Sequence, residues 1–301
     1  MKKLYLTFAL LCAVSMMADE VDSVGLFSVN DEGGRVFLAP GNLQYCPSTA
    51  VWRFADNQYD YLGFDNNNIS DTYDRWLDLF GWGSGAQPTL LTKIDDFVDW
   101  GTNPIANGGN EAGLWRSLSY DEWNYLLNGR VNASSLMAKA QVCGVNGLIL
   151  LPDAWDLTDT LILKTDDKKY ADNMLDSAQW VEWDSLGAVF LPAAGYRMGK
   201  NAQGVSSECN YWVDTAFTRI LWTTEDNYND PISVKYANYA NWGMSVRLAK
   251  DYIGPSVIDD QAIDDPSAFD DQSPSRKIIK DGRLFILRHN KIFTPHGLEV
   301  Q

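Results

Sequence analysis

Histidine is nearly missing from this chain. Of 301 residues only two are His, His289 and His296, both at the far C-terminal end, which excludes a His-based catalytic triad or a His-rich metal site in the main body. Cysteine is scarce as well, with four residues at 12, 46, 143 and 209 spaced too widely for a zinc pattern. Positive charge is in deficit: Lys+Arg 24 against Asp+Glu 40 gives a formal net charge of −16. Such acidity argues against nucleic acid or an anionic lipid surface as a partner and is the ordinary means of keeping an exported protein soluble. A transmembrane segment is also lacking, because the only long apolar run is the short one at the N-terminus.

That run has a purpose of its own. Lys2 and Lys3 precede apolar residues 4–17, and acidic residues follow, which is the pattern of a signal peptide over 1–18, cut after Ala18 or after Ser15. The expected product is secreted, or displayed on the cell surface of a Gram-negative bacterium. Once Cys12 is removed, Cys46, Cys143 and Cys209 remain, which allows one disulfide with a free thiol or three buried thiols. What the chain has in excess is aromatic: 12 Trp, 14 Tyr and 12 Phe.

The densest local instruction lies at 114–128. Ser119 and Glu122 form a capping box, Leu118 and Trp123 a hydrophobic staple, and Trp123, Leu126 and Leu127 share one helical face, with Gly129 expected as a left-handed stop. A second helix is expected over 177–187, anchored by Trp180, Val181 and Leu186 and stopped by Gly187. A third, short one is expected after Ser70 or Asp71, with Trp76, Leu77 and Phe80 inward. Alternating segments predict an opening hairpin across Glu32-Gly33-Gly34, a strand at 51–55, and a hairpin of 139–143 with 148–151 turning at Asn146-Gly147. A buried strand at 187–197, broken at Pro192, and later strands at 217–225, 231–238 and 243–249 complete the main body. Residues 251–275, rich in Asp and without Lys or Arg, read as a solvated linker, and 276–301 as a separate hairpin of two or three strands.

In this order the segments resemble a family. WRSLSYDEW, LILLPDAW, GAVFLPAAGYR, LWTTE and GMSVRLA resemble, in the same order, Bacteroidetes secreted proteins related to the Fibrobacter major paralogous domain. More distantly they resemble the formylglycine-generating-enzyme (sulfatase-modifying-factor) branch of the C-type-lectin-like fold. The helix start and closing strand of that branch are resembled by Trp115, Arg116, Leu118, Glu122 and Trp123, with Gly243, Met244, Val246 and Arg247. The resemblance implies an α+β, C-type-lectin-like domain over 24–250 with two short helices and irregular loops. Lys277, Asp281, Gly282, Leu284, Ile286, Arg288, Phe293, Gly297 and Val300 resemble the tails of Bacteroidetes exported proteins, implying contact with type IX-like sorting machinery. The paired cysteines that hold copper in the enzyme branch have no counterpart, since Cys209 stands without a partner close in sequence.

A scaffold of this kind carries recognition on the long loops before its last strands. The expected ligand-binding residues there are Tyr211, Asn227, Tyr228, Asn229, Tyr236, Asn238, Tyr239, Asn241 and Trp242, aromatics beside amides as glycan or protein recognition uses them. Trp212 and Trp222 are expected in the core, and Arg197 and Arg247 on buried carboxylates or carbonyls. Glu225, Asp226, Asn227 and Asp230 cluster hard oxygen ligands suited to calcium, the plain alternative being an acidic loop; no other cofactor is implied. No catalytic residue is assigned: Glu122 is taken by its cap, Glu182 by solvent, and no carboxylate pair is set by spacing. The expected function is non-enzymatic binding of a glycan or protein at the cell surface. The alternatives are a degenerate enzyme of the sulfatase-modifying type and a structural part of a fimbrial or surface assembly.

Overall fold

The computed structural model describes residues 24–91, 96–158, 162–165, 169–214 and 242–254, and the backbone of strands Thr218–Trp222, Ser233–Tyr236, Arg276–Lys280, Arg283–Arg288, Lys291–Phe293 and Glu299–Val300. The chain divides into two compact units, Met1–Tyr252 and Ile253–Gln301. It is mixed α+β, mostly sheet with few short helices. The signal segment and most of the acidic stretch, 255–275, lie outside the described residues.

The first unit is a set of small sheets rather than one large one. Its opening strands Leu26–Ser28 and Arg35–Leu38 pair antiparallel, and Ala249–Asp251 pairs with the free side of Arg35–Leu38, so start and end of the unit share a sheet. Leu43–Cys46 pairs with Val51–Phe54. A four-stranded sheet runs Met174–Leu175, Met137–Val142, Val145–Leu150, Val189–Pro192, the first pair parallel and the others antiparallel. Another runs Asn201–Gln203, Tyr196–Met198, Trp242–Met244, Phe80–Gly81, and a third joins Cys209–Trp212, Thr218–Trp222 and Ser233–Tyr236. The second unit holds four antiparallel strands in chain order, Arg276–Lys280, Arg283–Arg288, Lys291–Phe293 and Glu299–Val300, against the two or three expected.

Local chemistry explains most of these elements. Helix α1, Tyr120–Asn124, starts at the expected box: Glu122 N donates to Ser119 Oγ at 3.1 Å, and Ser119 N to Glu122 Oε2 at 2.8 Å. It runs on as a π turn, Tyr125–Gly129, and Leu118, Trp123, Leu126 and Leu127 all enter one core. Gly129 is not left-handed; a Cβ there would stand 2.7 Å from the Tyr125 ring, so the position is glycine for room. Helix α2, Ser177–Ser185, is capped by Asp176 and stopped by Gly187 at φ 86°. Its anchors are Trp180 and Trp183, whereas Val181 and Leu186 are 67% and 44% exposed, because the i, i+3 pair alone faces the sheet below.

Two other expectations are overturned by pairing. The hairpin turns at Cys143-Gly144, both at positive φ (50° and 82°), leaving Asn146 and Gly147 inside the second strand. There a Cβ on Gly147 would lie 2.4 Å from Leu191 O, which is the close approach that requires glycine. No helix follows Asp71. Leu77 instead exchanges hydrogen bonds with Tyr45 at 2.8 and 2.9 Å, and the Asp71 carboxylate accepts from the Thr89 hydroxyl. Leu77 and Phe80 are buried as expected; Trp76 is half-buried beneath the Arg53 guanidinium, 3.9 Å away.

Of the buried cations among the described residues, Arg130, Lys139, Arg197 and Arg247, the last joins the most distant parts of the core. Arg247, 1% exposed, donates from Nη1 to Ala39 O at 2.8 Å and from Nη2 to Phe190 O at 2.7 Å and Asn42 Oδ1 at 2.9 Å. Its Nη1 also reaches Gln58 Oε1 at 3.4 Å, and Gln58 Nε2 donates to Asp184 Oδ1 at 2.6 Å. Burial lowers its pKa, and among the described residues no carboxylate comes within ion-pair distance of it. Arg247, in the connection between Trp242–Met244 and Ala249–Asp251, thus ties the end of the unit to the 39–42 loop and to Val189–Pro192, on carbonyls as expected for it. Arg247→Met, of similar volume, strips the donor from Ala39 O and Phe190 O. We expect a loss of about 3 kcal/mol, read from the urea midpoint at unchanged m-value; an unmoved midpoint would mean those carbonyls find other donors.

Asp78 is a fully buried carboxylate. It accepts from Leu62 N and Asn66 Nδ2, both at 2.8 Å, and burial outweighs these bonds to push its pKa up to about 6. A carboxyl raised in the folded state favours the protonated form there, so its stabilising contribution is complete below the unfolded value near 3.8 and is lost as pH rises through about 6. The change amounts to about 3 kcal/mol. Asp78→Asn should remove this slope: stability curves of the two proteins should converge or cross between pH 4 and 6 and run parallel above it. Parallel curves throughout would show that Asp78 titrates alike in the folded and unfolded chain.

Candidate functional site

The hairpin that bears the best-formed surface is built around an arginine turned inward. Arg197 is fully buried, donating from Nη2 to Leu79 O at 3.2 Å and from Nη1 to Gly199 O at 2.6 Å. Burial brings its pKa down to about 10. Gly243 pairs with it, and a Cβ there would lie 2.7 Å from Arg197 Nη2, so the guanidinium crosses the neighbouring strand where only glycine leaves space. Strand alternation then sends Tyr196 and Met198 to the opposite face.

On that face Tyr196 stacks on Trp242, ring centroids 4.4 Å apart and planes 13° from parallel. Both are half-buried, and the Tyr196 hydroxyl donates to Gln203 Oε1 at 3.2 Å. Trp242 is the residue that follows 237–241, so this pair stands where the segment rich in Asn and Tyr joins the sheet.

Beyond the edge strand of the same sheet lies a trough. Ala202 N donates to Asn67 Oδ1 at 2.6 Å, which binds Asn201–Gln203 to the 3-10 turn Gly63–Asn68. The turn is fixed from below, where Asn66 Oδ1 accepts from Asp78 N at 3.1 Å and its Nδ2 donates to the Asp78 carboxylate. Next comes a turn in which Tyr73 N donates to Ser70 O at 3.2 Å. Between this wall and Lys200, at the tip of the 196–203 hairpin, opens a trough of about 570 Å³ lined by Asn67, Asn68, Ser70, Thr72, Asp74 and Lys200, with Ile69 and Tyr73 also in its lining. A second concavity of about 320 Å³ lies beside Tyr45 and Trp52; there Asn103 already gives its amide to Gly85 O and Trp100 O at 3.0 and 3.1 Å.

The expected ligand residues do not come together as one described surface. Tyr211 is a correction: it is wholly buried, its hydroxyl donating to Asn42 Oδ1 at 3.0 Å and Pro192 O at 3.2 Å, because it sits in Cys209–Trp212, a strand with four buried residues rather than a loop. Trp212 is core as expected, its indole donating to Phe80 O at 2.6 Å. Trp242 belongs to the stacked pair. Tyr236 ends a strand whose backbone pairs it with Thr218. Asn227, Tyr228, Asn229, Asn238, Tyr239 and Asn241 lie outside the described residues, as do Glu225, Asp226 and Asp230 of the calcium set. Among the described residues no group of three or more His, Cys, Asp or Glu side chains could hold a metal, and no helix is long and apolar enough to cross a membrane. Cys46, Cys143 and Cys209 are free thiols.

Sequence reasoning passed over Tyr196 and the whole trough. The first was within reach, since strand alternation puts Tyr196 on the face opposite Arg197; the second was not, because Asn67 meets Ala202 across a separation of 135 residues. Compared with known proteins, the chain matches no family model, no curated protein and no solved structure.

The glycine opposite Arg197 yields a direct test. Gly243→Ala should cost about 1–3 kcal/mol by overpacking against a guanidinium already held on two carbonyls. Gly199→Ala, at φ 57° with nothing near the added methyl, should cost only the backbone strain of about 1 kcal/mol. Thermal melts of the two variants would refute the packing account if they shift equally.

Proposed function

We propose that this chain is a secreted or surface-displayed binding protein without catalytic activity, recognising a glycan or protein through its late aromatic and amide loops. The observation that carries this reading is the stacked Tyr196–Trp242 pair at the foot of 237–241. A rigid aromatic platform beside Asn-rich chain is a recognition chemistry, with ring faces for apolar patches and amides for hydroxyls or backbone. The scaffold beneath fits a C-type-lectin-like fold in character: small sheets, two short helices, irregular connections and paired first and last strands. The resemblance to Bacteroidetes secreted proteins adds export by the N-terminal segment and sorting by the C-terminal one. Glu225, Asp226, Asn227 and Asp230 are the residues that would hold calcium if recognition uses it.

Cys209 supports the non-enzymatic side of the reading. Its thiol is buried and donates to Pro192 O at 3.0 Å, and burial pushes its pKa well above the ordinary value. A thiol in that state is neither a nucleophile nor a ready metal ligand.

Residues 24–301, purified and applied to glycan and protein arrays with and without EDTA, provide the test. We expect saturable binding to a restricted set of ligands, weakened about tenfold by Trp242→Ala. Loss of binding in EDTA assigns the calcium role to the 225–230 segment. Silence on both arrays would sink the reading in favour of a structural part in a surface assembly.

A further inference from the structure

We infer that the trough between Asn67–Asp74 and Lys200 is a subsite for one unit of a neutral saccharide, an inference that deepens the binding function proposed above and rests on it. Size comes first: about 570 Å³ falls within the range of roughly 300–1,000 Å³ typical of small-molecule sites. Chemistry narrows the class. The hydroxyls of Ser70 and Thr72, the Asp74 carboxylate, the Lys200 ammonium and the Asn67 Nδ2 make no hydrogen bond to any of the described residues, so donors and acceptors of both kinds face the opening unspent. A ligand dense in hydroxyl groups, each both donor and acceptor, is what such a mixed set suits.

Charge excludes the neighbouring classes. Asp74 opposes Lys200, so the lining carries no net charge: a free anion would meet the carboxylate, and a cation would find one carboxylate and one ammonium. Apolar ligands have little to cover, because Ile69 is only 4% exposed and Tyr73 is half-buried. That part of Tyr73 is suited to the C–H face of a single sugar ring.

The walls are pre-arranged. Asn67 is held by Ala202 N, the turn behind it by Asn66 and Asp78, and the far side by the tight tip at Gly199. Ordering such side chains costs less on binding than closing free loops. Lys200 also belongs to the hairpin that carries Tyr196, so one rigid element serves the trough and the aromatic platform.

Isothermal titration and saturation-transfer NMR on residues 24–301 with free glucose, galactose, mannose, xylose and N-acetylglucosamine test the inference, with glucuronate and glucosamine as charged controls. At least one neutral sugar should bind, and Thr72→Val with Asp74→Asn should weaken it about tenfold or more, the loss of one or two hydrogen bonds. Both residues are exposed, so circular dichroism should be unchanged. Trp242→Ala should leave monosaccharide binding within about threefold, a change smaller than loss of one hydrogen bond. The inference is overturned if no neutral sugar binds, if a charged control binds better, or if Trp242→Ala abolishes binding while the trough variant does not. In that last case the platform reading stands and the trough alone is discarded; array binding with a silent trough would separate the two in the same way.

Discussion

A guanidinium without a carboxylate holds this fold together. Arg247 sits in the interior on two carbonyls and an amide from two separate segments, the 39–42 loop and Val189–Pro192, and its charge is spread through Gln58 toward Asp184 on α2 instead of being neutralised on the spot. The desolvation cost of such a charge is offset through its two Nη groups, so the segments that supply Ala39, Asn42 and Phe190 are constrained to one arrangement. Tyr211 lies beside it, sharing Asn42 Oδ1, which is why a residue with the look of a ligand contact is part of the core. Arg247 Nε, Asn42 Nδ2 and Ser245 Oγ are buried without partners, the residual cost of threading polar groups through that centre.

The unit is closed at its rim by a second arginine. Arg116 grips Glu122 with two bonds, 2.6 and 2.8 Å, and Asp251 at 2.7 Å, so the start of α1 is bound to the last strand of the unit. The bond to Glu122 raises the Arg116 pKa; burial raises that of Glu122, but Arg116 and Ser119 outweigh it and hold the carboxyl below its ordinary range. Arg116 and Glu122 are therefore the residues that join the start of α1 to the last strand of the unit. Cys209 lies in the same core as α1, its thiol buried and its pKa pushed well above the ordinary value.

Both candidate recognition surfaces depend on the hairpin 196–203. Arg197 anchors it, Gly243 admits the anchor, and the other face carries Tyr196 stacked on Trp242, both half-buried against the core that holds Phe80 and Met244, while the tip presents Lys200 to the trough. A stiff element with one charged inward residue offers side chains in fixed positions, which is what distinguishes a binding surface from a merely polar one. The short sheets around it leave irregular connections free to vary without disturbing the core.

How much could be read in advance divides along a physical line. Capping boxes, staples and the left-handed stop at Gly187 act within a few residues, so α1 and α2 were legible, as were the opening hairpin and the break at Pro192. The acidic balance and the scarcity of histidine are compositional and belong to the sequence alone. What failed were choices settled by distant partners: Leu77 pairing with Tyr45 in place of a helix, the turn moving to Cys143-Gly144 because Gly147 must pass Leu191, and the burial of Tyr211. The trough belongs to this second group, for its two walls are far apart along the chain and are joined where Asn67 accepts from Ala202. Local hydrogen bonding is written in neighbouring residues, whereas a cavity exists only after packing has chosen which distant surfaces face each other.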